Sequence, residues 1–149
     1  MYLELINRYR TAEKYDGTIK PGAPAEKEKI AAAEKRLGVR FPQELRDMLL
    51  EMDGDCNLLF SVEELLEYNL HGVLGNCPEN GLLFIGSDGA GGLYGYAVKN
   101  GAIENTRLVF YDHETEEIYD DDSWGASSLY DLIKAFYDTC YGELPETAR

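Results

Sequence analysis

The stretch FIGSDGAGGLYGYA, residues 84–97, places five glycines in fourteen positions and decides what kind of fold the chain can have. A dinucleotide-binding fingerprint needs G-x-G-x-x-G between a strand and a helix, because the helix N-terminus holds the pyrophosphate. Gly89 and Gly91 supply the first two glycines, but the third position is Tyr94, and a strand-like run follows. No Gly-Lys-Ser or Gly-Lys-Thr phosphate loop occurs either. Asp88-Gly89 between two apolar runs therefore predicts a hairpin turn.

Short apolar and aromatic runs on both sides of this turn are typical of strands. The predicted strands are LLFIG (82–86), LYGYAV (93–98) and RLVFY (107–111), with residues 117–119 as a further candidate. We expect residues 82–111 to form at least three adjacent strands. Gly89, Gly91 and Gly92 should lie in or beside the first hairpin turn.

Apolar residues at helical spacing predict helices before and after the strands. The predicted segments are helices at 2–14, 26–37, from Pro42 to about residue 52, and 62–68, a short strand at 58–60, and a final helix containing 129–137. Gly38 suits a left-handed cap, and Ser127 or Ser128 suits the N-cap of the last helix. Helices, then strands, then a helix predict an α+β fold: a mainly antiparallel sheet flanked by helices, in a single domain over residues 1–149.

The charge balance restricts the classes of partner. Twenty-eight acidic residues against fourteen basic ones give a net charge of -14. Such a protein repels nucleic acid and anionic lipid, and attracts a basic partner. No apolar stretch approaches the ~20 residues that cross a bilayer, and the N-terminal residues lack the pattern of a signal peptide. We expect a cytoplasmic protein with free, mostly buried cysteines and no membrane or nucleic-acid partner.

A calcium loop is a second pattern that fails on inspection. Five residues occupy EF-hand positions 1, 3, 5, 9 and 12: Asp53, Asp55, Asn57, Ser61 and Glu64. Position 6, which requires glycine for its sharp turn, is Leu58. The sequence instead predicts a polar loop followed by a helix whose capping box is Ser61 with Glu64, and no metal site.

Catalytic and cofactor motifs are absent from the sequence. His71 and His113 lie in unrelated segments, away from the three cysteines Cys56, Cys77 and Cys140, which form no metal-ligand spacing. We therefore predict no enzyme activity and no cofactor. A site assembled in space from distant residues stays open as an alternative, because triads recur without local motifs. In that alternative a cleft on the sheet binds a small ligand or substrate, with contributions from Tyr94, Tyr96, His71 and the cysteines.

The acidic turn, residues 112–122 (DHETEEIYDDD), contains seven acidic residues in eleven positions and is flanked by aromatic residues. A charge run is often a solvated hairpin tip. Carboxylates beside large rings can also steer and anchor a basic protein. The candidate partner-binding residues are Tyr111, Asp112, Glu114, Glu116, Glu117, Tyr119, Asp120, Asp121, Asp122 and Trp124.

Four phrases in this order resemble a known family. They are IAAAEKRLGVRFPQELRDMLLEMDG (30–54), LLFSVEELLEYN (58–69), FIGSDGAGGLYGYAV (84–98) and VFYDHETEEIYDDDSWGASSLYDLIKAF (109–136). The chain, over about residues 23–138, is similar to the SUKH superfamily, the Smi/Knr cell-wall-regulator family. The resemblance implies an α+β fold with a curved sheet. It also implies, for many bacterial members, an immunity protein that binds and neutralises a toxin domain, often a nuclease, while fungal members regulate cell-wall synthesis. The toxin, the organism and the oligomeric state stay open.

Overall fold

The structure, a computed structural model, describes residues 1–71, 77, 79–119 and 126–145. Within these residues the chain forms five helices and one four-stranded sheet. The helices are α1 (Tyr2–Arg10), α2 (Lys27–Leu37), α3 (Gln43–Glu51), α4 (Val62–His71) and α5 (Leu129–Tyr141). The strands are β1 (Leu82–Ser87), β2 (Leu93–Ala97), β3 (Leu108–Asp112) and β4 (Glu117–Tyr119). Four helices, a run of strands and a last helix confirm the α+β fold.

The sheet is an antiparallel meander in the order β1-β2-β3-β4. The expectation of at least three adjacent strands from residues 82–111 is therefore confirmed. The strand expected at residues 58–60 is wrong: only one bridge, between Leu59 and Gly86, forms beside β1. The segment is too short for more, because the chain enters α4 at Val62 directly afterwards.

The glycine-rich turn between β1 and β2 is a hairpin turn, as predicted. The Asp88 Oδ1 atom accepts hydrogen bonds from the backbone N–H groups of Ala90 (2.8 Å) and Gly92 (2.9 Å). These are N–H groups that a phosphate loop would need for its anion. A Cβ atom on Gly92 would lie 2.4 Å from the Phe110 ring, so glycine here lets a strand side chain pack on the turn.

The helix ends follow local chemistry, with two corrections to the expected boundaries. α1 ends at Arg10 rather than near residue 14, because the Thr11 hydroxyl and backbone N–H both donate to a carbonyl of the last turn. Pro42 is the N-cap of α3 rather than part of its first turn. Gly38 ends α2 in the left-handed region, and the Ser128 hydroxyl caps α5, as expected.

The loop that resembles a calcium loop, residues 53–64, is held by hydrogen bonds within the protein. Ser61 and Glu64 form the predicted capping box: each backbone N–H donates to the other side chain, at 3.1 and 3.2 Å. The Asp55 side chain is fully buried, and its Oδ1 atom accepts three backbone N–H groups of the same loop. Its Oδ2 atom accepts the Tyr137 hydroxyl of α5 at 2.5 Å. The carboxylates of Asp55 and Glu64, two of the candidate calcium ligands, are therefore hydrogen-bonded within the protein.

The helices and the sheet share one hydrophobic core. α1 packs against α3 and α5, α2 packs against α3 and α4, and α4 lies along β1. The fully buried Asn69 amide joins α4 to β1, since it accepts from the Phe84 N–H and donates to the Phe84 carbonyl, both at 2.8 Å. This packing leaves β4 and the adjoining turns at the far edge of the sheet. None of the helices that the structure describes is long and apolar enough to cross a membrane.

Candidate partner-binding site

The described part of the acidic turn, residues 112–119, lies at the end of the sheet where β3 connects to β4. The Glu116 N–H donates to the Asp112 carbonyl (2.8 Å), and the Asp112 side chain accepts from the Glu114 N–H (2.9 Å). Glu116 has a φ of 58°, the left-handed value that reverses the chain into β4. These bonds direct the carboxylates of Glu114, Glu116 and Glu117 into solvent, where all three residues are exposed.

The glycine-rich turn lies beside the acidic turn and adds to its negative charge. A Cβ atom on Gly91 would lie 2.5 Å from the His113 ring, so the two turns are in contact. Asp88 brings a fifth carboxylate to the four at residues 112–117. None of the five makes an ion pair with a residue that the structure describes. This end of the molecule therefore presents a negative field that its own cations do not neutralise.

Among the described residues, four half-buried aromatic rings form a row, the aromatic row, that crosses the sheet next to the acidic turn. It runs from Phe136 of α5 through Tyr94 of β2 and Phe110 of β3 to Tyr119 of β4. Successive ring centroids are 6.4, 5.0 and 6.4 Å apart. The row forms because Tyr94, Phe110 and Tyr119 are cross-strand partners, and partners project on the same face of a sheet.

The inner end of the aromatic row borders a recess of about 340 Å³ between β2 and α5. Tyr94, Phe136 and Cys140 line it, together with small α5 side chains. Burial, with a smaller effect from Asp88, raises the pKa of Tyr94 to about 12. Its hydroxyl therefore stays protonated at physiological pH.

The structure places six of the ten predicted partner-binding residues, in two environments. Asp112, Glu114, Glu116, Glu117 and Tyr119 come together at the turn between β3 and β4. Tyr111, by contrast, is 2% exposed and packs against Phe84, so its ring belongs to the core and not to the exposed turn. The remaining four candidates lie outside the described residues: Asp120, Asp121, Asp122 and Trp124.

The residues of the alternative cleft are not gathered into one site. Tyr96 is fully buried, and its hydroxyl donates to Glu44 at 2.5 Å. His71 is exposed at the end of α4. Only Tyr94 and Cys140 share a recess. Burial raises the pKa of the Cys140 thiol, which disfavours the thiolate that nucleophilic catalysis needs.

The cysteines also correct one expectation. All three are free, but Cys56 and Cys140 are exposed and only Cys77 is buried. Burial raises the pKa of Cys77 to about 11, so this thiol is inert. Within the ranges that the structure describes, no three His, Cys, Asp or Glu side chains are grouped to hold a metal ion.

Sequence reasoning missed two members of the aromatic row, Phe110 and Phe136. Both were assigned to elements, Phe110 to a strand and Phe136 to the apolar stripe of the last helix. The available signal was the pairing of strands: a hairpin centred on residues 88–92 pairs residue 94 with the preceding strand, and in a meander residue 94 also faces a residue of the strand that follows. The identity of that residue depends on the length of the second connection, which composition does not specify.

Comparison with known proteins agrees with this architecture. A sequence model of the SMI1/KNR4 family (SUKH-1) matches residues 24–134, most of the chain. No curated protein matches the chain. The matched range spans α2 to the middle of α5, and so includes the sheet, the acidic turn and three rings of the aromatic row, while Phe136 lies two residues beyond it.

Proposed function

The chain belongs to the SMI1/KNR4 family (SUKH-1), and we propose that it is a non-enzymatic protein-binding module of the immunity type. Its partner is a basic bacterial toxin domain, of the nuclease type, which it binds and neutralises in the cytoplasm. Family membership supports an immunity-protein or cell-wall-regulator role and a protein partner in general. The observation that favours a basic partner is the acidic turn, whose described carboxylates make no ion pair with any other described residue.

The acidic turn accounts for recognition by charge. Lys and Arg side chains that grip phosphates in a nuclease make charge-assisted hydrogen bonds equally well to carboxylates. Glu114, Glu116 and Glu117 are exposed on a turn whose backbone is already hydrogen-bonded, so little ordering is needed on binding. Occupation of the basic side chains by this turn blocks the nucleic-acid site of the toxin.

The aromatic row accounts for affinity beyond charge. Interface energy concentrates in a few aromatic or Arg side chains, while rim charges chiefly raise the association rate. Tyr119 lies at the outer end of the row, half-buried and stacked on Phe110, with its hydroxyl 3.1 Å from the Glu117 carboxylate. It therefore adjoins both the apolar row and the negative charge, the combination that a Lys or Arg stem with its charged head requires.

The test measures association with the toxin domain encoded by the neighbouring gene. The variant carries Glu114→Gln, Glu116→Gln and Glu117→Gln, which remove three charges and preserve side-chain size. We expect association about tenfold slower at low salt and a weaker dependence on salt concentration, because steering acts over a Debye length of ~8 Å at physiological ionic strength. Unchanged association would refute the role of the turn.

A matched control removes the same charge elsewhere. Glu13, Glu67 and Glu104 are exposed and make no ion pair with any described residue, so changing all three to Gln alters the net charge identically. We expect an effect below about twofold on association. Equal slowing by both triple variants would assign the effect to net charge alone and refute the local site.

The aromatic anchor has its own control. Tyr119→Ala should raise the Kd by about 30-fold, the equivalent of a hot-spot residue of about 2 kcal/mol. Tyr68→Ala removes another partly exposed tyrosine stacked on a phenylalanine, Phe60 of the loop before α4. It should leave the Kd unchanged. If both tyrosines or neither affect the Kd, the anchor lies elsewhere.

A further inference from the structure

The positive charge of this acidic chain is concentrated in one segment. Residues 27–46, which form α2, its connection and the first half of α3, contain six of the 14 Lys and Arg residues and only three of the 28 acidic ones. This segment has a net charge of +3 in a chain of net charge -14. Basic residues near the C-terminus of a helix interact favourably with the helix dipole, which explains why Lys35 and Arg36 lie in the last turn of α2. It does not explain the cations elsewhere in the segment.

Four of the six cations line two adjoining recesses between α2 and α3, together the α2–α3 recess. The first, of about 360 Å³, is lined by Lys27, Arg46 and the apolar side chains of Ile30 and Leu50, among others. The second, of about 440 Å³, is lined by Lys35, Arg40 and again Arg46. Arg46 therefore lies where the two parts meet.

The cations of the α2–α3 recess have no acidic partner. Arg46, Lys27, Lys35 and Arg40 make no ion pair with any residue in the described ranges. The Arg46 Nε atom is buried and has no hydrogen-bond partner. A buried donor left unsatisfied costs about 1–3 kcal/mol, and more when the group is charged. An arginine held in this state suits an anionic group that binds it from outside the chain.

One carboxylate, that of Glu34, lines both parts of the recess beside the four cations. Glu34 Oε2 accepts a hydrogen bond from the Phe41 backbone N–H at 2.7 Å. That bond anchors the connection between α2 and α3, and Glu34 makes no ion pair with Arg46. Because the acid is used structurally, the recess keeps an excess of cationic side chains.

We propose that the α2–α3 recess binds an acidic peptide segment, with one carboxylate on the Arg46 guanidinium. The flanking Lys27, Lys35 and Arg40 meet further carboxylates, and the wall of Ile30 and Leu50 contacts an aliphatic side chain between them. Long polyanions such as nucleic acid are disfavoured because the rest of the surface is strongly negative. This surface is opposite in charge to the acidic turn, so the inference goes beyond the toxin interaction.

The test titrates the full chain with the capped peptide acetyl-Glu-Glu-Leu-Glu-Glu-amide and measures binding by calorimetry. We expect saturable binding that weakens as salt is added, and no binding of the matching peptide with Gln in place of Glu. Arg46→Gln should raise the Kd by about tenfold, the order of one charge-assisted bond. Arg36→Gln is the control, since this exposed arginine removes the same charge without lining either part of the recess.

Two further readouts keep the outcome clear. In the unaltered protein, the Arg46 Nε–H resonance should shift on peptide addition. This measurement does not depend on whether a substituted protein folds. Inorganic phosphate should compete only weakly. Absence of saturable binding, equal effects of the two Arg→Gln changes, or an unmoved Arg46 resonance would each overturn the proposal. Phosphate binding as tight as the peptide would also overturn it, since the recess would then be a site for free anions.

Discussion

Replacing Tyr137 by phenylalanine tests the buried hydrogen-bond network that joins the last helix to the loop before α4. The Tyr137 hydroxyl donates to Asp55 Oδ2 at 2.5 Å, inside the core. It also accepts from the Asn57 side chain at 3.2 Å, but Asn57 is exposed and can bond to water instead. The cost of the substitution therefore comes mainly from the buried carboxylate.

The loss of stability depends on how the Asp55 carboxylate is left once the tyrosine hydroxyl is removed. A hydrogen bond to a charged group contributes about 1.5–3 kcal/mol, and Oδ2 would have no other donor. We expect Tyr137→Phe to lower the free energy of unfolding by about 2–3 kcal/mol. Tyr9→Phe is the matched control: its hydroxyl donates to Asp138 at 2.6 Å, but that carboxylate is half-buried and also contacts Lys134. Water can replace the lost bond, so about 1 kcal/mol is expected.

The loss should depend on pH in a defined direction. Burial raises the pKa of the Asp55 carboxyl, while the bonds from Tyr137 and three backbone N–H groups oppose that rise. A folded-state pKa above the unfolded one means that the folded protein binds the proton more tightly. Stability is therefore lost as pH rises through the folded pKa. Tyr137→Phe raises this pKa further, so its cost is larger at about pH 8 than at about pH 4, because a falling pH favours the protonated carboxyl, which loses less with the donor.

Urea unfolding followed by circular dichroism at both pH values measures these differences. A loss below about 0.5 kcal/mol, or a loss equal at the two pH values, would refute the reasoning, since the carboxylate would then not depend on the hydroxyl. A loss for Tyr9→Phe as large as for Tyr137→Phe would show that ring packing, not the buried charge, determines the effect.

Two further substitutions test contacts of β1 and its turn. Asn69→Ala leaves the Phe84 N–H and carbonyl buried without partners and should cost about 2–4 kcal/mol in urea unfolding, whereas a loss below about 1 kcal/mol would mean that water replaces the amide. Gly92→Ala should destabilise more than Gly89→Ala, because its Cβ atom would lie 2.4 Å from the Phe110 ring. A Cβ atom on Gly89 would meet nothing within 4 Å, so that change costs only the strain of an alanine at a φ of 80°. The Gly89 change should cost about 1 kcal/mol in the same assay, and the reverse order would contradict the described turn.

The sequence alone predicted the features of local structure that depend on residues close together along the chain. The existence of the five helices, the Gly38 cap, the Ser61–Glu64 capping box and the hairpin turn were predicted correctly, while the end of α1 and the start of α3 were corrected and Ser128 proved to be the cap of the two serines considered. Each rests on spacing or on a hydrogen bond within a few residues, so the local residues carry the whole signal. The order of these elements then sufficed for the α+β fold.

Tertiary structure decided which face of each strand is buried and which polar groups find partners. Phe110 and Tyr111 are both aromatic and adjacent, and only the covering of the sheet makes Tyr111 core and Phe110 part of the aromatic row. Asp55 reads as a metal ligand until Tyr137, 82 residues later, is placed against it. Arg46 has the pattern of an ordinary helix residue, and only the packing of α2 beside it shows that it makes no ion pair with a described residue. Alternation along a strand defines two faces but not which one is buried, and a charged residue needs a partner that its neighbours in sequence do not specify. Both are decided by packing, which brings distant residues together.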